Sequence, residues 1–169
     1  MPRNRLKTKE IVVSREADAA KLNFAKVYNF GKVFKKYSMQ KKILFVCIEN
    51  SNRSQMSQAF AKILGGDSVE AYSAGSKPSG IVNPKAIEAM GQLGYDLSTH
   101  DSKTLDEVKI FAPFDAVVTM GCGDACPWMP AKRFIDWQIP DPKNMEPGAF
   151  NEVRDLIKRK VEELIMDIK

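Results

Sequence analysis

From residue 43 onward, short apolar runs alternate with stretches of helical period, and that alternation restricts the chain to one class of fold. Ile43-Leu44-Phe45-Val46-Cys47 is apolar throughout, as expected of a strand buried on both faces. A helix follows from Ser54 to Leu64, with Met56, Ala59, Phe60 and Ile63 at helical spacing, and Gly65-Gly66 stops it. Val69–Ser73 reads as a second strand. Asn83-Pro84 supplies an N-cap with proline at the first helical position, and that helix ends near Gly94. Ser102 or Thr104 opens another helix through Val108. Phe114–Met120 and Arg133–Trp137 are two more strands. Pro147–Ile168 is a long closing helix with Phe150, Val153, Leu156, Ile157, Val161, Leu164 and Ile165 on its apolar face. This order predicts an α/β fold, a doubly wound four-stranded parallel sheet with helices on both faces. Ligands of such sheets sit beyond the carboxyl ends of the strands, where strand order reverses. Cys47 and Cys122 each fall at such an end.

The loop behind the first strand is Cys47-Ile48-Glu49-Asn50-Ser51-Asn52-Arg53-Ser54. Strand, short polar loop and helix together make an anion cradle, because loop and first-turn amides point at the ligand and the helix dipole favours negative charge. Arg53 adds a planar fork for two oxygens of a tetrahedral oxyanion. The same positive field favours the thiolate, which is the nucleophilic form of a cysteine. Ser54 is placed to donate its hydroxyl to that thiolate, and Asn50 to hold the shape of the cradle. Ile48, Glu49, Asn50, Ser51, Asn52, Arg53 and Ser54 are thus the expected oxyanion-binding residues, with Cys47 the nucleophile.

The basic balance of the chain lies outside this region. Residues 1–40 carry ten Lys/Arg against three Asp/Glu, while the rest carries 16 against 18. The body of the protein therefore offers no nucleic-acid surface. Within the basic segment, Ala20, Phe24, Val27, Tyr28, Phe34 and Tyr37 fall roughly on one face of a predicted helix over 15–37. We divide the chain into a basic N-terminal extension, 1–40, and a catalytic domain, 41–169. No apolar run approaches membrane-spanning length, and the N-terminus lacks a secretory signal, so a cytoplasmic location is expected. The three cysteines, Cys47, Cys122 and Cys126, with the single His100, match no common metal-site spacing, and redox or catalytic use is expected of them instead.

Cys122 and Cys126 have three residues between them in the small-residue stretch Gly121-Cys122-Gly123-Asp124-Ala125-Cys126. Such a pair can approach the Cα separation of about 4.4–6.8 Å that a disulfide requires. Further on, Asp141 in Ile139-Pro140-Asp141-Pro142-Lys143 is either an ordinary turn former or a general acid over the oxyanion loop. Asp136, inside a predicted strand, is the weaker carboxylate candidate. His100 reads as a surface or capping residue, and Ser73 as a support beneath the loop.

Val46-Cys47 through Arg53-Ser54-Gln55-Met56 resembles the phosphate-binding loop of low-molecular-weight protein tyrosine phosphatases and of the arsenate reductases built on the same fold. The loop sequence and the Cys122/Cys126 pair are similar to the thioredoxin-coupled reductase branch, and Lys143-Asn144 replaces the aromatic residues that generally follow Asp-Pro in the phosphatases. The resemblance covers roughly Lys41 to the C-terminus and implies a low-molecular-weight phosphatase-like fold. It implies that Cys47 attacks arsenate held by Arg53 and the loop, and that Asp141 protonates the departing oxygen. Cys122 then takes the Cys47 sulfur into a disulfide, and Cys126 passes the bridge outward to reduced thioredoxin or a similar dithiol donor. No bound cofactor and no metal are implied, and phosphate or sulfate would compete with arsenate. Two rivals share the same loop: a phosphatase of phosphotyrosine or small phosphate esters, and a binding protein that holds arsenite on three thiols without turnover.

Overall fold

The computed structural model describes residues 40–121 and 128–168. The predicted N-terminal helix, Cys122 and Cys126 lie outside the described residues. In chain order the elements are β1 (Lys41–Cys47), α1 (Arg53–Gly65), β2 (Val69–Gly75), α2 (Pro84–Gly91), α3 (Leu105–Val108), β3 (Phe114–Thr119), β4 (Ala131–Asp136) and α4 (Pro147–Ile168). The four strands form one parallel sheet in the order β2-β1-β3-β4. Strand order therefore reverses at β1, between β2 on one side and β3 on the other, and the carboxyl end of β1 is the place where such a fold binds ligands.

The alternation of side chains along β1 separates two cores. Ile43, Phe45 and Cys47 join Met56, Phe60, Met90, Phe150, Ile157 and Val161 under α1, α2 and α4. Leu44 and Val46 face the other way, onto Leu105, Val108, Phe114, Val117 and Met129 beneath α3. Both faces of β1 are thus covered, which is why its sequence shows no polar alternation. β4 is an edge strand and much of its surface is exposed.

The helix ends follow their local chemistry. Asn83 accepts from the Lys85 amide at 2.9 Å with Pro84 at the first position of α2. That helix stops at Gly91, short of the expected Gly94. Gly94, at φ +78°, closes the turn while the Tyr95 amide bonds back to the Met90 carbonyl at 3.1 Å. Thr104 caps α3 in a reciprocal box with Glu107. β1 begins two residues earlier than expected and β2 runs to Gly75, because Lys41 and Cys47 pair with Val69 and Gly75. Buried Arg154 on α4 donates to the Ala89 carbonyl at 3.0 Å and the Gln92 side chain at 3.1 Å, placing a cation at the carboxyl end of α2. No helix among the described residues is long and apolar enough to cross a membrane.

Candidate active site

Cys47 ends β1, and the backbone turns sharply before α1 begins at Arg53. The turn is possible because Asn50 takes φ +46°, a conformation that asparagine tolerates better than most residues. The segment after β2 takes up the carbonyls of the loop. The amides of Ser76, Lys77, Ser79 and Asn83 donate to the carbonyls of Cys47, Ile48, Glu49 and Ser51 at 3.2, 2.8, 2.9 and 3.0 Å. The Gln55 side chain donates to the fifth, that of Asn50, at 3.0 Å. In a planar trans peptide the carbonyl of one residue and the amide of the next point in opposite directions. The amides of Ile48, Glu49, Asn50, Ser51 and Asn52 are therefore turned away from those partners, as an anion cradle needs. Gly75 lets the loop lie this close: a Cβ there would fall 2.5 Å from the Ile48 carbonyl oxygen and 2.9 Å from the Asn50 nitrogen.

A chain of hydrogen bonds converges on Cys47, and its direction can be worked out. The Gln55 amide nitrogen donates to Asn50 Oδ1 at 3.0 Å and to the Asp101 carbonyl at 2.8 Å, so Gln55 Oε1 must accept from His100 Nδ1, 3.0 Å away. His100 Nε2 is then the acceptor for the Tyr95 hydroxyl at 2.8 Å. Asn50 Oδ1 also takes the Lys103 amide at 2.7 Å, and Asn50 Nδ2 donates to Ser54 Oγ at 2.8 Å. Ser54 Oγ lies 3.0 Å from Cys47 Sγ, and toward a thiolate, which has no proton to give, the hydroxyl is the donor. Every bond from Tyr95 through His100, Gln55, Asn50 and Ser54 thus donates toward the sulfur. Such a chain stabilises negative charge at its end. Burial, aided by the ammonium groups of Lys62 and Lys103, pushes His100 down to about 4, so the ring is neutral at pH 7.

Arg53 is buried and its guanidinium is fixed from several sides. Nη1 donates to the Met120 carbonyl at 2.8 Å and the Ile139 carbonyl at 3.1 Å, and Nη2 pairs with Asp141 Oδ2 at 3.1 Å. The carboxyl end of β3 and the Asp-Pro loop are therefore both tied to the oxyanion loop through one side chain. Asp136 takes the Thr119 hydroxyl at 2.6 Å at the ends of β3 and β4, which leaves Asp141 as the carboxylate beside Arg53.

The contacts change two expectations. His100 is the C-cap of the 3-10 turn Leu97–Thr99, as expected, but its half-buried ring also lies against Gln55 on α1. Ser73 does not support the loop; its hydroxyl donates to Gln58 Oε1 at 2.6 Å. Gln55, Tyr95 and Gly75 were not singled out in the sequence. Only Gln55 carried a local signal, one position beyond Ser54 in the first turn of α1.

Residues 42–169 match the family described as low molecular weight phosphotyrosine protein phosphatase. Arsenate reductase 2 of Staphylococcus epidermidis is 42% identical over 127 residues, covering 73% of this chain and 95% of that protein. The glutaredoxin arsenate reductase of a Synechocystis species is 39% identical over 133 residues, covering 76% and 98%. Among solved structures, a thioredoxin-dependent arsenate reductase of Corynebacterium glutamicum superposes with a TM-score of 0.66 at 34% identity, covering 82% of this chain and 65% of that one.

Proposed function

We propose that this chain, which belongs to the low molecular weight phosphotyrosine protein phosphatase family, is an arsenate reductase acting through Cys47. The observation that carries this reading is the set of donors aimed at the Cys47 sulfur from within a loop whose amides and Arg53 suit a tetrahedral oxyanion. Similarity to named arsenate reductases at about 40% identity selects arsenate among such oxyanions. The activity is assigned to residues 41–169.

The Cys47 thiolate attacks arsenate, and the bond to one arsenic oxygen breaks as Asp141 gives that oxygen its proton. Arg53 and the loop amides balance the charge that builds on the remaining oxygens. The thiolate of Cys122 next attacks the Cys47 sulfur, and the sulfur–arsenic electron pair leaves with arsenic as arsenite. A Cys47–Cys122 disulfide results. Cys126 displaces Cys47 from Cys122, and the Cys122–Cys126 disulfide is reduced by a dithiol protein, for which thioredoxin is the proposed donor. Two electrons thus pass from the donor to arsenic, and Cys47 is returned as a thiolate.

Arsenate reduction coupled to thioredoxin, thioredoxin reductase and NADPH is the test, with Cys47→Ser, Cys122→Ser and Cys126→Ser beside the wild type. Turnover in the wild type and loss in all three variants is expected. Turnover with glutaredoxin and glutathione in place of thioredoxin would reassign the donor. Hydrolysis of p-nitrophenyl phosphate by the wild type, Cys122→Ser and Cys126→Ser alike, without arsenate reduction, would make the protein a phosphatase.

A further inference from the structure

We infer that Glu49 and Lys143 form a charged gate at the rim of the oxyanion loop, and that this gate selects inorganic oxyanions over esters and phosphonates carrying an aromatic group. The inference rests on the reading of residues 47–54 as an oxyanion site and adds a specificity element to it. Lys143 Nζ lies 2.6 Å from Glu49 Oε1, joining residues 94 positions apart in the chain. Glu49 is two residues beyond Cys47 in the loop, and Lys143 is two residues beyond Asp141. The Lys143 amide also donates to Asp141 Oδ1 at 3.2 Å, while Asp141 Oδ2 holds Arg53 Nη2 at 3.1 Å. Charges therefore alternate along this chain of contacts, Glu49, Lys143, Asp141 and Arg53, and only the last is buried. The outer pair is solvent-accessible, with the Lys143 side chain half exposed and that of Glu49 about one third exposed, whereas Arg53 is 7% exposed. The Glu49 carboxylate holds the Lys143 ammonium above its ordinary range, so Lys143 stays charged at neutral pH.

The chemistry of the two ligand classes follows from that geometry. A bare tetrahedral oxyanion directs three oxygens at the loop amides and Arg53 and the fourth at Asp141, and nothing beyond that oxygen has to cross the rim. A phosphonate or ester bearing a ring must pass its substituent out between the Asp-Pro loop and the oxyanion loop, where the ion pair bridges them. It has to break the Glu49–Lys143 contact or bind in a poorer position. Lys143 attracts any dianion, so its removal weakens both ligand classes by long-range electrostatics. Only a gate changes the ratio of their affinities.

The experiment is calorimetric titration of the reduced full chain with inorganic phosphate and with benzylphosphonate. Wild type, Lys143→Ala and the charge-reversed Glu49→Lys/Lys143→Glu double variant are compared, and the wild type is repeated at low salt and at about 0.5 M salt. The expected result is an affinity ratio that moves toward benzylphosphonate by about fivefold in Lys143→Ala, in the range set by an exposed ion pair. The double variant should recover most of the wild-type ratio, and high salt should shift the wild type in the direction of Lys143→Ala. A Lys143→Ala ratio within about twofold of the wild type, with both affinities falling together, overturns the gate. If Lys143→Ala does not fold, a salt-independent wild-type ratio overturns it equally. Absence of phosphate binding by the wild type would instead refute the oxyanion loop on which the gate depends.

Discussion

Ser54 shows how a single side chain can have a fixed polarity. Its oxygen accepts from the Asn50 amide nitrogen, which can only donate, and its proton meets the Cys47 thiolate, which can only accept, at 3.0 Å. Hydrogen bonds to a charged partner are worth about 1.5–3 kcal/mol, which is enough to change the reactivity of a thiolate severalfold or more. In the Cys122→Ser/Cys126→Ser background, Ser54→Ala is expected to slow iodoacetamide alkylation of Cys47 at pH 7 by roughly tenfold. Peptide mapping by mass spectrometry gives the rate. Equal rates in the two proteins would mean that the Ser54 hydroxyl does not support the thiolate. The Cys47–Arg53 core of this site was legible because its members sit within one short loop. The path from Tyr95 and His100 was not, since His100 reaches Gln55 across 45 residues and no periodicity in the chain encodes that contact. The pairing of Glu49 with Lys143, 94 positions apart, was hidden for the same reason.

At the scale of elements, the oxyanion loop depends on a neighbour with no side chain. β2 runs beside β1 to Gly75, and the irregular segment that follows it supplies the amides which draw the loop carbonyls outward. Gly75→Ala would drive a methyl group into the Ile48 carbonyl and the Asn50 nitrogen, both of them backbone atoms that cannot swing aside. Overpacking of this kind costs about 1–3 kcal/mol. The expected outcome is a fall of that size in the urea unfolding free energy together with loss of measurable phosphate binding; full binding in a folded variant would show that the loop tolerates the shift. The elements themselves were read correctly where their signal was local. α4 appears over the expected Pro147–Ile168, and the Asn83-Pro84 cap opens α2 as its chemistry requires. Strand ends were less visible, because Lys41 and Gly75 belong to strands only through their pairing with β2 and β1. Ser73 misled for a related reason: it points into the α1 side, where Gln58 takes its hydroxyl, and only the pleat of β2 decides that.

For the molecule as a whole, the half-buried His100 ties catalytic geometry to acid stability. Its folded-state value of about 4 lies below the ordinary 6.5, chiefly because burial disfavours the imidazolium. As the pH falls through about 6.5 the unfolded chain takes up a proton at this residue while the folded chain does not. Between about 6.5 and about 4 the unfolded state therefore holds more protons, and stability declines with falling pH. Above 6.5 the contribution is fully present, and below 4 no further loss comes from this group. After allowance for solvent screening of a partly exposed ring, the loss is about 1–2 kcal/mol. His100→Asn keeps a donor for Gln55 Oε1 but cannot titrate. Urea unfolding of wild type and variant from pH 7.5 down to pH 4.5 should give stability curves that converge as the pH falls, the wild type losing more. Carboxylates elsewhere act on both proteins equally and cancel in the difference. Parallel curves would place His100 in contact with solvent in the folded state and would remove it from the donor chain that ends at Cys47.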